Sequence, residues 1–303
     1  MATHAAAGVM QFGLIDAGST NLGDEIQAIA ARHFLPRIDR YLPREALDRE
    51  PDGASPVMTV MNGWYMANPQ AWPPHPKITP LLVSVHLTQH RASRKRFWIA
   101  PASKRMLTPA GVEWLKAHGP VGARDHATRR VLEAHGIESH YSGCLTLTLP
   151  ARPNAQMHGR VVACDLPPAV VEELARRTNR PPLIVTHIDA TRGFAARLDR
   201  AEALLDLYAG SRAVVTSRLH CALPCLALGT PVLFVPTRRD RYRLQPALDL
   251  TISTSQREFL KGGGFDPEMP PPNPGGFAAL AEALRRRVRD FVALAERAQG
   301  PEE

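Results

Sequence analysis

Short apolar runs alternate with helix-length amphipathic segments through most of the chain. Residues 9–16, 57–61 and 81–86 are apolar enough to predict buried strands. After the first, a glycine-containing loop at 18–24 leads into 25–34, which carries Ile26, Ile29, Ala30 and His33 along one side at helical spacing. The Pro-rich link 69–80 reads as a loop. Segment 109–118 predicts a helix, with Val112, Trp114 and Leu115 apolar and Gly119-Pro120 as its end. A short strand then delivers Arg124 and Asp125 to a helix with Ala127, Val131 and Leu132 facing inward and Gly136 as its stop. Residues 139–142 predict a strand, and 143–149, Gly-Cys-Leu-Thr-Leu-Thr-Leu, alternates as another would.

Segment 150–159 is polar and turn-rich, the best boundary in the chain. Beyond it the rhythm restarts. Strands are predicted at 161–164, 183–186, 213–216 and 231–235, with helices at 168–177 and 194–209. A helix-length segment between the last two strands ends at Gly229, a C′ glycine followed by Pro231. The Gly- and Pro-rich stretch 261–276 is a flexible connection. Residues 277–297 place Phe277, Leu280, Leu284, Val288 and Phe291 on one helical face. Repeated strand–helix units predict an α/β protein of two Rossmann-like domains, 1–152 and 160–303, facing a cleft. Helix 277–297 is expected to return to the first domain.

Candidate chemistry gathers where predicted strands end, the usual ligand-binding edge of an open α/β sheet. Ser217, Arg218 and His220 fall between a strand and a helix start, where free N–H groups and a partial positive charge suit an anion. Arg218 offers a fork for carboxylate or phosphate, and His220 a proton near neutral pH. The same residues also read as a snorkelling arginine and a capping histidine beside a core helix. Arg124 stands at another strand end, next to Asp125, which reads most simply as an N-cap. Asn21, Gly23 and Asp24 occupy the first loop; Asn62 follows the second strand and His86 closes the third.

Composition narrows the field. Of 303 residues, 44% are hydrophobic and 22% charged, as in an ordinary globular protein. The longest nearly uncharged run, 221–235, is interrupted by prolines and a glycine and is too short for a bilayer span. The N-terminus lacks a signal-peptide pattern, so a cytoplasmic protein is expected, with peripheral contact to the inner face of a membrane allowed by its charge. Cys144, Cys164, Cys221 and Cys225 form no CxxC pair and sit among apolar residues, which predicts buried free thiols. The net charge of +8 comes partly from clusters at 94–96, 238–239 and 285–287. With only 6% aromatics and no aromatic-interleaved basic run, anionic substrates explain it better than nucleic acid. The histidines fall at no metal-ligand spacing, so no metal is expected.

Three motifs carry a resemblance. Thr216-Ser-Arg-Leu-His220 followed by Ala-Leu-Pro-Cys-Leu-Ala-Leu-Gly-Thr-Pro, the Asn-x-Gly-Asp loop at Asn21, and Arg-Asp-x-x-Thr followed by Ser-Gly-Cys-Leu-Thr-Leu-Thr-Leu are similar to the polysaccharide pyruvyl transferase family. The likeness runs from Asn21 to about Arg243, although this chain is short for the family and has Ser-Gly-Cys144 where many members carry Asp-Pro. It implies a glycosyltransferase-B-like fold and a transferase that uses phosphoenolpyruvate as donor, with no cofactor. The acceptor would be a free or lipid-linked saccharide, and the products a pyruvate ketal and phosphate. His220 would be the acid, with Arg218, Arg124, Ser217 and the Leu219 backbone holding the donor in the second domain. Asn21, Gly23 and Asp24, the last as a base, would line an acceptor-side wall with Asn62 and His86. The enzymatic alternative is a nucleotide-sugar glycosyltransferase, with Asp240 to hold a ribose. The non-enzymatic one is a polyanion or nucleic-acid binder using the arginine clusters.

Overall fold

The computed structural model describes residues 10–53, 55–65, 71–88, 101–237 and 241–299. The arginine clusters at 94–96 and 238–239, and Asp240, lie outside these. In chain order the elements begin with β1 (Gln11–Asp16), α1 (Leu22–Arg32), β2 (Arg40–Pro43), β3 (Val57–Trp64) and β4 (Ile78–His86). Next come α2 (Ala102–Met106), α3 (Pro109–Ala117), β5 (Val121–Ala123), α4 (His126–Ala134) and β6 (Ser139–Tyr141). After them are β7 (Val161–Cys164), α5 (Pro168–Arg176), β8 (Leu183–Val185), α6 (Phe194–Ala209), β9 (Ala213–Thr216) and α7 (Leu219–Leu228). The chain closes with β10 (Val232–Phe234), α8 (Arg241–Leu250), β11 (Ile252–Ser253), α9 (Gln256–Phe259) and α10 (Ala278–Gln299).

This is a mixed α/β protein with two parallel sheets, ordered β2-β1-β3-β4-β5-β6 and β11-β10-β9-β7-β8. Strands such as β7, β9 and β10 are buried at every position, because helices cover both faces of a parallel sheet. That is why they appear in the sequence as continuous apolar runs. In each sheet the strand order reverses once, between β1 and β3 and between β7 and β9. Among the described residues no helix is long and apolar enough to cross a membrane. All four cysteines are buried and free, as their apolar neighbours predict.

The chain forms two compact units that do not follow a single cut. The first comprises residues 1–18, 31–142 and 284–303; the second comprises 19–30 and 143–283. Each has its own apolar core, around Val57, Leu82, Val121 and Leu132 in the first and around Val161, Val215, Leu233 and Phe259 in the second. The early segment 19–30 belongs with the second unit for definable reasons. Leu22 N–H donates to His187 C=O at 2.8 Å and Asp189 N–H to Thr20 C=O at 2.9 Å. Asn21 forms an antiparallel bridge to Ile188, and Arg197 Nε meets the fully buried Glu25 Oε1 at 2.8 Å. Helix α10 contributes its first residues to the second unit and the remainder, from Leu284, to the first.

One local expectation is corrected, and two elements go beyond the pattern. Residues 143–149 are not a strand: Leu145–Thr148 form a 3₁₀ turn. All four of those residues are buried, so the Leu/Thr alternation does not separate an inner from an outer face. Gly143 turns the chain with φ of 68°, and Thr148 Oγ1 donates to Leu145 C=O at 2.7 Å, which satisfies the hydroxyl within the turn. The basic stretch that follows β10 forms α8 from Arg241 onward. The edge strand β2 carries no apolar run, since Leu42 is its one buried position, and pattern alone does not reveal it.

Candidate active site

The second unit holds a pocket of about 80 Å³ lined by Asn21, Gly23, His187, Ser217, Arg218, Leu219, His220, Arg243 and Leu244. Its floor is the turn from β9 into α7. Arg218 is the N-cap residue of α7, in extended conformation, and its side chain does not cap the helix. Cys221 and Ala222 N–H both bond to Arg218 C=O, while the Leu219 N–H has no partner among the described residues. An unfilled donor at a helix N-terminus attracts an anion.

His220 occupies the second position of α7 and departs from helical geometry, with φ of −84° and ψ of 16°. The sequence supplies the cause four residues on. Pro224 has no N–H to bond the His220 carbonyl, and a proline ring crowds the carbonyl four positions before it. His220 is 95% buried, because only 5% of its surface is exposed. Gly23 makes room for it: a Cβ there would lie 3.2 Å from both Cβ and Nδ1 of His220. Asn21 Oδ1 accepts from Gly23 N–H at 3.4 Å. Asp24 accepts from Ser19 Oγ at 2.7 Å and from Gln27 Nε2 at 3.2 Å, so both carboxylate oxygens help to hold the loop.

Arg218 is anchored at one nitrogen. Its Nε donates to Asp165 Oδ2 at 2.7 Å, and Nη1 and Nη2 have no partner among the described residues. The side chain is 23% exposed and also borders a second pocket, of about 300 Å³, with Asp165, Leu166, Pro167, Ser217 and Thr237. Asp165 follows β7 and Ser217 follows β9, so these residues stand at the point where the strand order reverses.

The structure thus groups Asn21, Gly23, Asp24, Ser217, Arg218, Leu219 and His220 in one unit. Asn62, His86 and Arg124 belong to the other. There His86 ends β4, and its Nδ1 lies 2.6 Å from Asp125 Oδ2. Asp125 caps α4 through Thr128 N–H at 2.8 Å. Burial pushes the Asp125 carboxyl up, but His86, the Arg124 charge and the Thr128 N–H outweigh it and hold it below the usual carboxylate range. Arg124 and Asp125 are both 0% exposed. Asn62 sits where the β3–β4 register shifts between Met61 and Gly63.

Asp165 and His187 are site residues that the sequence reading passes over. Both directly follow predicted strand segments, so the rule that picks out Arg218 also points to them. His187 belongs to a buried polar group as well. Its Nε2 is 2.9 Å from Tyr208 Oη, which donates to Cys164 Sγ at 3.5 Å. One atom each from Cys164, His187 and Cys221 lie within 4.8 Å of one another, a donor set with zinc-type chemistry that no sequence spacing announces. Burial pushes both thiols well up, so a metal there would have to displace their protons.

Among solved structures, the chain is similar to a functionally uncharacterized protein from Klebsiella pneumoniae subsp. pneumoniae NTUH-K2044. The two are 14% identical over 80% of this chain and 88% of that one, with a TM-score of 0.49. It is also similar to a calicheamicin glycosyltransferase, at 16% identity over 82% of this chain and 65% of that one, with a TM-score of 0.26. At those TM-scores neither likeness bears on function. No curated protein matches the sequence. The family model for polysaccharide pyruvyl transferase matches residues 90–238. That span takes in the Arg124-Asp125 turn, the end of β7, His187 and the whole Ser217–His220 motif. Across that span the chain is similar to the polysaccharide pyruvyl transferase family, a family of transferases.

Proposed function

We propose that the protein transfers the pyruvyl group of phosphoenolpyruvate to two hydroxyls of a saccharide, free or lipid-linked. The observation that carries this reading is the joint placing of Arg218, the open Leu219 N–H and His220 around one pocket, within the family-matched span. Phosphoenolpyruvate brings a carboxylate and a phosphate. Arg218 binds one of them through its Nη groups, and the Leu219 N–H adds a second donor at the positive end of α7. Arg243 adds a further cation to the pocket wall.

His220 supplies the proton. It protonates the enol carbon, which becomes a methyl group, and leaves a cationic centre at the neighbouring carbon. Two saccharide hydroxyls bond to that centre, and its bond to the phosphate oxygen breaks. Of the two hydroxyl protons released, one restores His220 and the other leaves with phosphate, so the sum is a ketal and inorganic phosphate. Asp24 serves this reading by ordering the loop that carries Asn21 and Gly23, since both of its oxygens are already engaged. Arg124 has no exposed surface to offer a donor and is left out of the clamp.

His220→Gln is the test. It keeps a polar side chain of similar reach and removes the titrating group. Binding of phosphoenolpyruvate by calorimetry should stay near parental, while phosphate release with saccharide acceptors falls about 10²–10⁴-fold. The parent's rate should decline as pH rises, and the variant should lose that limb. Parental turnover with the same pH profile would reduce His220 to part of the anion site. Turnover of a nucleotide sugar, with no phosphate released from phosphoenolpyruvate, would replace this reading with a glycosyltransferase.

A further inference from the structure

Asp165 follows β7 with φ of 51°, a left-handed conformation that costs a non-glycine residue strain even though Asp tolerates it better than most. Its carboxylate collects three donors from two other strand ends. Thr186 Oγ1 at 2.6 Å and His187 N–H at 2.9 Å come from the end of β8, and Arg218 Nε at 2.7 Å comes from the end of β9. Ser217 Oγ donates to its backbone carbonyl at 2.6 Å. One residue therefore ties together three strand ends beside the strand-order reversal, and it touches two groups that line the pocket. Burial pushes the carboxyl up, but the Thr186 and His187 hydrogen bonds and the Arg218 charge outweigh it and hold it below the usual range. It is ionised at neutral pH.

We propose that Asp165 is the positioning residue of the donor site. It grips Arg218 by Nε alone, which keeps both Nη groups for the anionic ligand, and through the His187 N–H it fixes the facing wall. The identity of the ligand rests on the proposed function; the grip on Arg218 does not. A guanidinium without this hold would turn about its long side chain and lose its bidentate geometry.

Asp165→Gly removes the carboxylate while suiting the positive φ, so it is expected to fold. Asp165→Asn can keep every contact, with Oδ1 accepting from Arg218 and His187 and Nδ2 donating to the Thr186 hydroxyl. On the full chain, Asp165→Gly should weaken phosphoenolpyruvate binding roughly 10–100-fold, the scale of coupling between residues in one network. It should raise KM more than it lowers kcat, and Asp165→Asn should recover most of the affinity. In an Arg218→Ala background, Asp165→Gly should have no further effect on affinity. Independently of any donor, the Arg218 Nε–H resonance should be exchange-protected in the parent and lost in Asp165→Gly. Parental affinity in Asp165→Gly, or an equal loss with and without Arg218, would confine Asp165 to holding the sheet together. If the parent binds no phosphoenolpyruvate, the donor assignment fails. The Nε–H signal then decides the positioning role: its retention in Asp165→Gly overturns it.

Discussion

The two units use the same local design, a strand that delivers an arginine to the start of a helix, and finish it in opposite ways. In the first unit β5 leads to Arg124, and Asp125 fills the end of α4 with its own carboxylate. His86 closes on that carboxylate, and the cluster is sealed from solvent. In the second unit β9 leads to Arg218, but no side chain caps α7. The Leu219 N–H stays open, the arginine is partly exposed, and a pocket lies over them. A helix start that satisfies itself is architecture; one left unsatisfied where a ligand can reach it is a place for an anion. Residue types alone do not distinguish the two, since a buried His–Asp pair beside an arginine looks as catalytic as anything in the other unit.

The comparison is broken most forcefully at Asp125. Asp125→Ala should destabilise the fold by about 3–5 kcal/mol, the usual result of stripping one partner from a buried ion pair. Urea denaturation measures this, and phosphoenolpyruvate affinity of the folded protein should not change. The sign of the pH dependence follows from its lowered pKa. Its stabilising contribution is whole above the unfolded value, near 4, and is lost as pH falls through the folded one, so the variant should show a flatter acid limb. A drop in donor affinity without loss of stability would make the first cluster functional.

Arg218→Ala should behave inversely. Donor binding weakens by about 2–5 kcal/mol with little change in melting temperature, and Arg218→Lys does not restore it because a point charge lacks the fork. Calorimetry showing parental affinity in both variants would erase the contrast. The smallest effect is expected at Gly23. Alanine there gains about 0.5–1 kcal/mol of helix propensity and meets His220 at 3.2 Å, so stability should barely move. Turnover should fall several-fold as the imidazole is displaced, and unchanged turnover would show that its position is loosely held.

Much of the second unit was legible because parallel strands buried on both faces leave continuous apolar runs, and β7, β9 and β10 stand out as such. The Ser217–His220 turn was legible as polar residues at a strand end. Three things were hidden. The Leu145–Thr148 turn looked like a strand because alternation signals two faces only when one of them meets water, and here neither does. Asp165 and His187 were visible as strand-end residues, but their importance depends on which strands are neighbours. Only the β9-β7-β8 order brings the ends of those strands together, and strand order is a long-range property that local pattern does not encode. The companionship of 19–30 with residues beyond 186 was hidden for the same reason.

That companionship has a consequence for biosynthesis. The segment carrying Asn21, Gly23 and Glu25 emerges from the ribosome early, yet Glu25 is paired with Arg197, 172 residues further along. Leu22, Ile26 and Ile29, all buried in the finished protein, lie in a segment that groups with residues 143–283, made much later. Loop closure over that distance is slow and leaves an amphipathic helix exposed meanwhile, the kind of surface that chaperones protect. The first sheet can pair its strands while translation continues, although it waits for α10 to complete its unit. The segment that brings Asn21 and Gly23 to the pocket therefore meets its partners late in synthesis.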